Sequence, residues 1–163
     1  MITGSETQHK PVLIRPPKEL VESTSHLLKR LAWVIKERAG GAFESTGFSP
    51  YHYAVLALLD EKPPETQAMI ADALGYDRSH LVGLLDELEE RGLVERKRDP
   101  SDRRRHLVSL TPDGKRVLGR LRAIVKDVDD KLLAPLDDEQ RETLHALLLQ
   151  LAAHHEPRYA AER

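Results

Sequence analysis

The residues best suited to chemistry in this sequence are basic, and they are concentrated between positions 91 and 122. Three consecutive arginines, Arg103, Arg104 and Arg105, follow the turn-forming residues 99–102 in the middle of this stretch. Basic residues outnumber acidic ones here, although the whole chain has a formal net charge of −2. Binding to nucleic acid needs a local positive surface, because contacts with phosphates are local. A solvated basic surface without a partner is the alternative.

The sequence before these arginines predicts an amphipathic helix. Leucines at positions 81, 84, 85 and 88 share one face of a helix with 3.6 residues per turn, so they form a stripe directed at a core. Asp77 suits the N-cap, and Gly92 suits the position after the helix, where the backbone becomes left-handed. Residues 93–97 and 106–110 then predict the two short strands of a hairpin, with the arginines in the connecting loop.

A second helix is predicted just upstream, with Thr66 as its N-cap and Leu74 as its last residue. Residues 75–77 make a tight turn, so the two helices form a helix-turn-helix, whose second helix enters the major groove of DNA. The hairpin is then the wing of a winged helix. The residues of the second helix that lie opposite or beside the leucine stripe are the candidates to face the groove: Arg78, Ser79, His80, Val82, Gly83 and Asp86.

Gly83 is the least expected residue of this helix, because a helical glycine costs about 1 kcal/mol relative to alanine. It lies away from the leucines, so packing in the core does not explain it. Close approach of the helix backbone to DNA is one explanation, and a tolerated surface glycine is the other. Base reading is therefore expected mainly from Arg78, Ser79 and His80, while Val82 offers a methyl contact to thymine.

The run LEERGLVERKRDPSDRRRHLVSLTPDG resembles the MarR family of bacterial transcriptional regulators, with a helix end, a basic strand, an Asp-Arg-Arg wing and the opening of the next helix in register. The resemblance extends from about Ser49 to the C-terminus. It implies a mainly α fold with a small β-hairpin wing, in which a winged helix-turn-helix lobe is joined to a dimerisation lobe of terminal helices. It also implies a homodimer that binds a pseudo-palindromic operator in double-stranded DNA.

The wing carries the second group of predicted DNA-binding residues. An arginine at the tip of a hairpin suits the narrow and electronegative minor groove. Asp102 is expected to hold a neighbouring arginine in a charge-assisted pair and not to touch DNA itself. The wing residues singled out in this way are Arg98, Asp102, Arg103, Arg104 and Arg105.

The predicted organisation is a single intertwined domain. Residues 1–16 form an N-terminal arm, residues 17–47 and 112–163 supply dimerisation helices, and residues 48–111 form the winged helix-turn-helix lobe. The first helix is expected to run from Lys18 to about Glu37, because the adjacent glycines at positions 40 and 41 should stop it.

Capping residues predict where the remaining helices begin. Ser49 and Thr111 are each followed by a proline, which suits the first position of a helix. Asp137 and Gln140 resemble a capping box for the last helix. That helix carries an apolar stripe that a small monomer cannot easily cover, so it is most simply buried against its copy. The stripe consists of Leu144, Leu147, Leu148, Leu151 and Ala152.

The resemblance further implies a small aromatic or phenolic effector that releases a repressor from DNA. Trp33, His52 and Tyr53 lie on the two helices between which the family binds such compounds. Burial in a core or an interface is the alternative for these large side chains. A zinc-responsive regulator is another alternative, since His154, His155 and Glu156 are adjacent and His145 lies upstream. Adjacent helical residues point about 100° apart, however, so no metal site is predicted.

Several functional classes are excluded or disfavoured. The chain has no cysteine, which removes disulfides, thiolate catalysis and thiol-based sensing. It contains no phosphate-binding glycine loop, metalloprotease motif or nucleophile elbow, so it is not predicted to be an enzyme and no cofactor is expected. A winged helix used only for protein contacts is the remaining rival. No secretory signal or membrane span is recognisable, so a cytoplasmic protein is expected.

Overall fold

The computed structural model describes residues 14–62, 65–102 and 104–160. The predicted mainly α fold with a small β wing is confirmed. The elements in chain order are α1 (Lys18–Glu22), α2 (Thr24–Glu44), α3 (Pro50–Glu61), β1 (Glu65–Thr66), α4 (Gln67–Leu74), α5 (Arg78–Glu90), β2 (Val94–Arg98), β3 (His106–Leu110), α6 (Pro112–Leu132) and α7 (Asp138–His155), and a 3-10 turn over Pro157–Tyr159 follows. Most of the predicted arm, residues 1–13, lies outside the described residues.

The chain divides into two compact units, one up to Val34 and the other from Ile35 onward. The first unit contains α1 and the first half of α2. Its helices bury none of their large apolar side chains, and the guanidinium of Arg30 lies 5.0 Å from the centre of the Trp33 ring. The second unit contains the end of α2 and all later elements. No helix of the described part of the chain is long and apolar enough to cross a membrane.

The predicted end of the first helix is wrong. Ser23 interrupts it early, and α2 then continues through Gly40 and Gly41 to Glu44. Two helical glycines cost about 1 kcal/mol each, but the continuation buries Phe43 to 2% exposure. Burial of a phenylalanine stabilises by roughly 1.5–3 kcal/mol, which is enough to offset the glycines. Packing of Phe43 against residues that are distant in sequence thus overrides the local propensity.

The predicted helix starts are confirmed. Each of the five expected cap residues accepts a hydrogen bond from a backbone N–H in the first turn of its helix. Gln140 completes the capping box of α7 by accepting from the N-cap backbone. Gly75 and Gly92 have φ of 67° and 70°, the left-handed conformation in which glycine is not strained. The cap residues are Ser49, Thr66, Asp77, Thr111 and Asp137.

The wing belongs to a small three-stranded antiparallel sheet in the order β1-β3-β2. The predicted hairpin pairs Val94 with Leu110 and Arg98 with His106. The third strand, β1, has only two residues and is not evident from the sequence. It pairs Glu65 with Val108 on the far side of β3. The start of α4 is therefore tied to the wing by main-chain hydrogen bonds.

The core of the second unit is built around α5. All four leucines of the predicted stripe are buried against side chains of α3, α4, β3 and α6. The helix α6 comes close to the sheet at Gly114, where a Cβ atom would overlap the carbonyl oxygen of Leu93. The opposite surface of α5 is consequently presented to solvent on a rigid support.

Candidate nucleic-acid interface

The first turn of α5 is organised by Asp77. Its carboxylate accepts hydrogen bonds from the backbone N–H of Ser79 at 2.9 Å and of His80 at 3.2 Å, and from the hydroxyl of Ser79. The bond from that hydroxyl, followed by the two backbone bonds, lowers the pKa of Asp77. The cap is therefore charged at neutral pH, and the Ser79 oxygen keeps lone pairs that can accept from a partner.

Five of the six residues predicted to face the major groove share an exposed surface along the first half of α5. A Cβ atom added at Gly83 would meet no atom within 4 Å beyond the backbone of its own helix, so packing does not require a glycine there. The backbone at this point is open to close approach by a partner. The exposed residues of this surface are Arg78, Ser79, His80, Val82 and Gly83.

A ring cluster that sequence reasoning missed lies beside this surface. The ring of His80 is 5.0 Å from the ring of Tyr51 on α3 and 6.1 Å from that of Tyr76 in the turn before α5. The two tyrosine rings are 5.4 Å apart in an edge-on arrangement. Such contacts favour one direction for the His80 side chain. No spacing in the sequence links Tyr51 to the other two residues, because the contact joins different helices.

Two aspartates of the wing loop form hydrogen bonds and an ion pair with other residues of the same loop. Asp102 accepts from the backbone N–H of Arg104 at 3.0 Å and pairs with Nε of Arg105 at 3.2 Å, so its predicted role of holding an arginine is confirmed. Asp99 accepts from the hydroxyl and backbone of Ser101, and these bonds lower the pKa of Asp99. Arg103 lies outside the described residues.

The positive surface is smaller than the sequence suggested, because many of its basic residues are paired with acids. Arg98 and Arg104 are exposed and form no ion pair with another described residue. They are the described wing cations that remain free for an anionic partner. The paired basic residues are Arg91, Arg96, Lys97, Arg105, Lys115, Arg116 and Arg122.

Arg96 joins the wing to α5. Its Nη1 atom lies 2.6 Å from a carboxylate oxygen of Asp86 and 2.9 Å from one of Glu89, and its backbone N–H donates to Glu89 at 3.1 Å. Asp86 was predicted to face the groove, but its carboxylate is turned toward the strand β2. The Nε and Nη2 atoms of Arg96 are buried and have no hydrogen-bond partner among the described residues. Arg96 therefore orients the wing and is not available to DNA.

His52 is buried, and it belongs to a network of half-exposed charged residues at the other end of α5. Its Nδ1 accepts from the backbone N–H of Ser49 at 3.0 Å, and its Nε2 lies 3.1 Å from Glu87. Glu87 also pairs with Arg91 at 2.6 Å, and Arg91 donates to the carbonyl oxygen of Gly47 at 2.8 Å. This arrangement suits a neutral imidazole with its proton on Nε2. Burial lowers the pKa of His52, while Glu87 partly opposes that shift.

The three residues predicted to bind an effector have different surroundings. Trp33 lies in the N-terminal unit and is half exposed, with Arg30 above its ring. Tyr53 is partly buried against the core of the other unit, where its ring centre lies 6.5 Å from that of Phe43. His52 is 6% exposed and uses both ring nitrogens within the chain.

No cluster suitable for a metal ion forms among the described residues. His154 and His155 have ring centres 4.9 Å apart at a steep angle, but no group of three or more His, Asp or Glu side chains in the described ranges could hold an ion. The zinc-responsive alternative therefore has no supporting donor set in this part of the chain.

Comparison with known proteins identifies the family. The MarR family model matches residues 48–106, which span α3, the helix-turn-helix and the wing up to the start of β3. A transcriptional regulatory protein for the hcr operon of Thauera aromatica is 33% identical over 126 residues, covering 77% of this chain and 76% of the relative. The chain belongs to the MarR family. As a MarR-family protein it is a DNA-binding transcriptional regulator and not an enzyme.

Two solved structures of CouR have a similar fold. The repressor CouR bound to a 23-mer DNA duplex is 36% identical, with a TM-score of 0.76 over 83% of this chain and 96% of that one. CouR from Rhodococcus jostii RHA1 bound to p-coumaroyl-CoA is 33% identical, with a TM-score of 0.71 and the same coverage of both chains. CouR is thus bound to duplex DNA in one of these structures and to p-coumaroyl-CoA in the other.

Proposed function

We propose that this MarR-family regulator is a homodimeric repressor that binds a pseudo-palindromic operator and is released by a small aromatic ligand. In this proposal the exposed first half of α5 reads bases through Arg78, Ser79 and His80, with Val82 and Gly83 in close contact. The wing supplies phosphate and minor-groove contacts. The wing residues concerned are Arg98, Arg103, Arg104 and Arg105, with Asp102 holding the loop.

The observation that best supports a dimer is the apolar surface of α7. This helix buries no residue in the single chain, and Leu147 is 55% exposed. Leu148, Leu149 and Leu151 are exposed to a similar degree. Complete burial of a leucine stabilises by roughly 1.5–3 kcal/mol, so covering these half-exposed side chains is worth on the order of 1 kcal/mol each. A second copy of the chain would cover them in pairs under two-fold symmetry.

The proposed ligand is an aromatic acid or its thioester, acting without covalent chemistry. The support comes from CouR, whose structure contains p-coumaroyl-CoA. Trp33 and Tyr53 remain our candidates for ring contacts in this chain. His52 has both ring nitrogens engaged, so we propose that it contributes through Glu87 on α5 and not by binding the ligand directly. A ligand can weaken DNA binding only if it prefers the conformation that fits DNA poorly.

The DNA-reading assignment is tested by selecting duplexes from a random library with the parent chain and with variants. Replacing Ser79 or His80 by alanine should change which sequences are recovered, because base contacts carry the specificity. Replacing Arg98 or Arg104 by alanine should weaken binding to all duplexes and reduce the salt dependence. If the helix and wing variants recovered the parent sequences with equally scaled affinities, the assignment of base reading to α5 would be wrong.

The dimer is tested by introducing charge into the leucine surface. Leu147→Glu and Leu151→Glu should give monomers with weak operator affinity, measured by light scattering and DNA titration. Gln150→Glu adds the same charge on the same helix outside the leucine stripe and serves as the matched control. A parent chain that is monomeric at micromolar concentration would refute the dimer.

The ligand is tested with p-coumarate, p-coumaroyl-CoA and salicylate as probes. Trp33 is the only tryptophan, so its emission reports on the ligand site directly. An active compound should change that emission and weaken operator binding by roughly 5–150-fold, the range of typical allosteric coupling. If a compound releases the DNA while the emission is unchanged and Trp33→Phe responds normally, the ligand binds elsewhere.

A further inference from the structure

The last described residues of the chain lie against the turn of the helix-turn-helix. The C-terminal segment, residues 156–160, follows α7 directly. Nη1 of Arg158 lies 3.5 Å from the carbonyl oxygen of Asp72 in the last turn of α4. A side chain at Gly75 would overlap the same guanidinium group. Glu156 pairs with Nε of Arg158 at 3.3 Å, which favours this direction of the side chain.

The turn that Arg158 contacts leads directly into the ring cluster beside the groove-facing surface. Tyr76 follows Gly75 in the turn, and its ring contacts the rings of Tyr51 and His80. Burial raises the pKa of Tyr76, and the hydroxyls of Tyr51 and Tyr159 raise it further. The segment, the turn and the first turn of α5 form one continuous set of contacts.

The position of Arg158 is electrostatically favourable. The last carbonyl groups of α4 have no partners within their own helix and carry the negative end of the helix dipole. Gly75 is left-handed and lacks a Cβ atom, so the planar guanidinium can lie directly over the backbone. A cation at this point stabilises both the end of α4 and the geometry of the turn.

We propose that Arg158 is a positioning residue for DNA binding, which holds the turn at Gly75 and thereby fixes the direction in which α5 leaves it. Arg158 does not touch DNA in this role. The end of α7 becomes part of the support of the DNA-binding lobe. The proposal rests on DNA binding alone and is independent of the dimer, the repressor activity and the ligand.

The first test measures binding to a duplex that the parent chain has selected from a random library. Arg158→Ala should weaken binding by about 2- to 5-fold, which corresponds to the 0.3–1 kcal/mol of a cation at a helix C-terminus. The slope of affinity against salt should stay the same, because no phosphate contact is lost. Arg158→Lys should recover part of the affinity, since it keeps the charge. An unchanged affinity, or a slope reduced by about one phosphate, would overturn the proposal.

The second test asks whether Arg158 acts through Gly75. Gly75→Ala should displace the guanidinium, so adding Arg158→Ala to it should cause no further loss of DNA affinity. Gly47→Ala is the matched control: it introduces the same backbone strain at a φ of 69°, but its nearest side chain is Arg91 at 3.8 Å. It should leave the affinity of the folded protein close to that of the parent. Additive losses from the two substitutions would show that Arg158 does not act through the turn.

Discussion

Replacement of Arg96 by methionine should show that Arg96 supports DNA binding by orienting the wing and not by contacting phosphates. The side chain of Arg96 is only 18% exposed and donates at 2.6 and 2.9 Å to two carboxylates. Those carboxylates, on Asp86 and Glu89, are 59% and 40% exposed, so solvent screens the pairs. Hydrogen bonds to charged groups contribute about 1.5–3 kcal/mol when well buried. With screening, the loss should be about 1–2 kcal/mol of stability in total, since methionine keeps most of the apolar packing.

Arg96→Met and Arg104→Ala should change the salt dependence of DNA affinity in different ways. Arg96→Met should weaken binding by the same factor at low and high salt, because the wing is misoriented but no phosphate contact disappears. Arg104→Ala should remove about one contact, which lowers the salt slope by about 0.9. Between 50 and 200 mM salt, the ratio of parent to Arg104→Ala affinity should then fall roughly 3.5-fold.

The assay is a titration of the selected duplex at several salt concentrations, together with thermal unfolding. Lys97→Met is the matched control, because Lys97 lies on the same strand but is 71% exposed and pairs only with Glu95 among the described residues. It should change stability by less than about 0.5 kcal/mol. If Arg96→Met lowered the salt slope as Arg104→Ala does, Arg96 would contact phosphates and the orienting role derived from its two carboxylates would be wrong.

Three further predictions concern stability. Burial lowers the pKa of His52 in the folded chain, so as pH falls the unfolded chain takes up a proton on this residue before the folded chain does. The free energy of unfolding should therefore decrease as pH falls below about 6.5, and this pH dependence should be weaker in His52→Gln. Gly114→Ala should destabilise by about 1–3 kcal/mol in denaturant unfolding, since its Cβ would overlap Leu93, whereas Gly119→Ala in the same helix should be neutral or stabilising. Asp77→Ala should cost about 0.5–2 kcal/mol, and Asp77→Asn should retain most of the cap.

The parts of the fold that the sequence predicted correctly depend on neighbouring residues. Caps such as Asp77 and Thr111 act within three residues, and the leucine stripe of α5 follows from one helical period. The hairpin is bounded by a turn whose residues bond to each other. These features need no knowledge of the remaining chain, and each appears in the structure within one residue of its predicted position.

Apart from the break at Ser23, the errors and omissions involve residues that are distant in sequence. The helix α2 continues through its glycines because Phe43 is buried in the core. The strand at Glu65 forms because its backbone pairs with the free edge of β3. The contact between Tyr51 and His80 joins two helices, so no spacing could reveal it. The sequence also could not distinguish a free arginine from a paired one, since Arg96 binds acids seven and ten positions earlier.

The pairing of charges explains how a helix with several acidic residues can bind DNA. The second half of α5 carries four acids. Asp86, Glu87 and Glu89 would repel phosphates if they were free, and Glu90 is exposed at the end of the helix. Arg96 pairs with both Asp86 and Glu89, and Arg91 pairs with Glu87, so two positive charges offset most of the charge of these three acids. The acids are thereby used to fix the wing and to link α5 to the loop before α3, while the exposed first half of the helix keeps its basic and polar groups. Net charge therefore says little about function here, because binding depends on which charges the fold leaves unpaired.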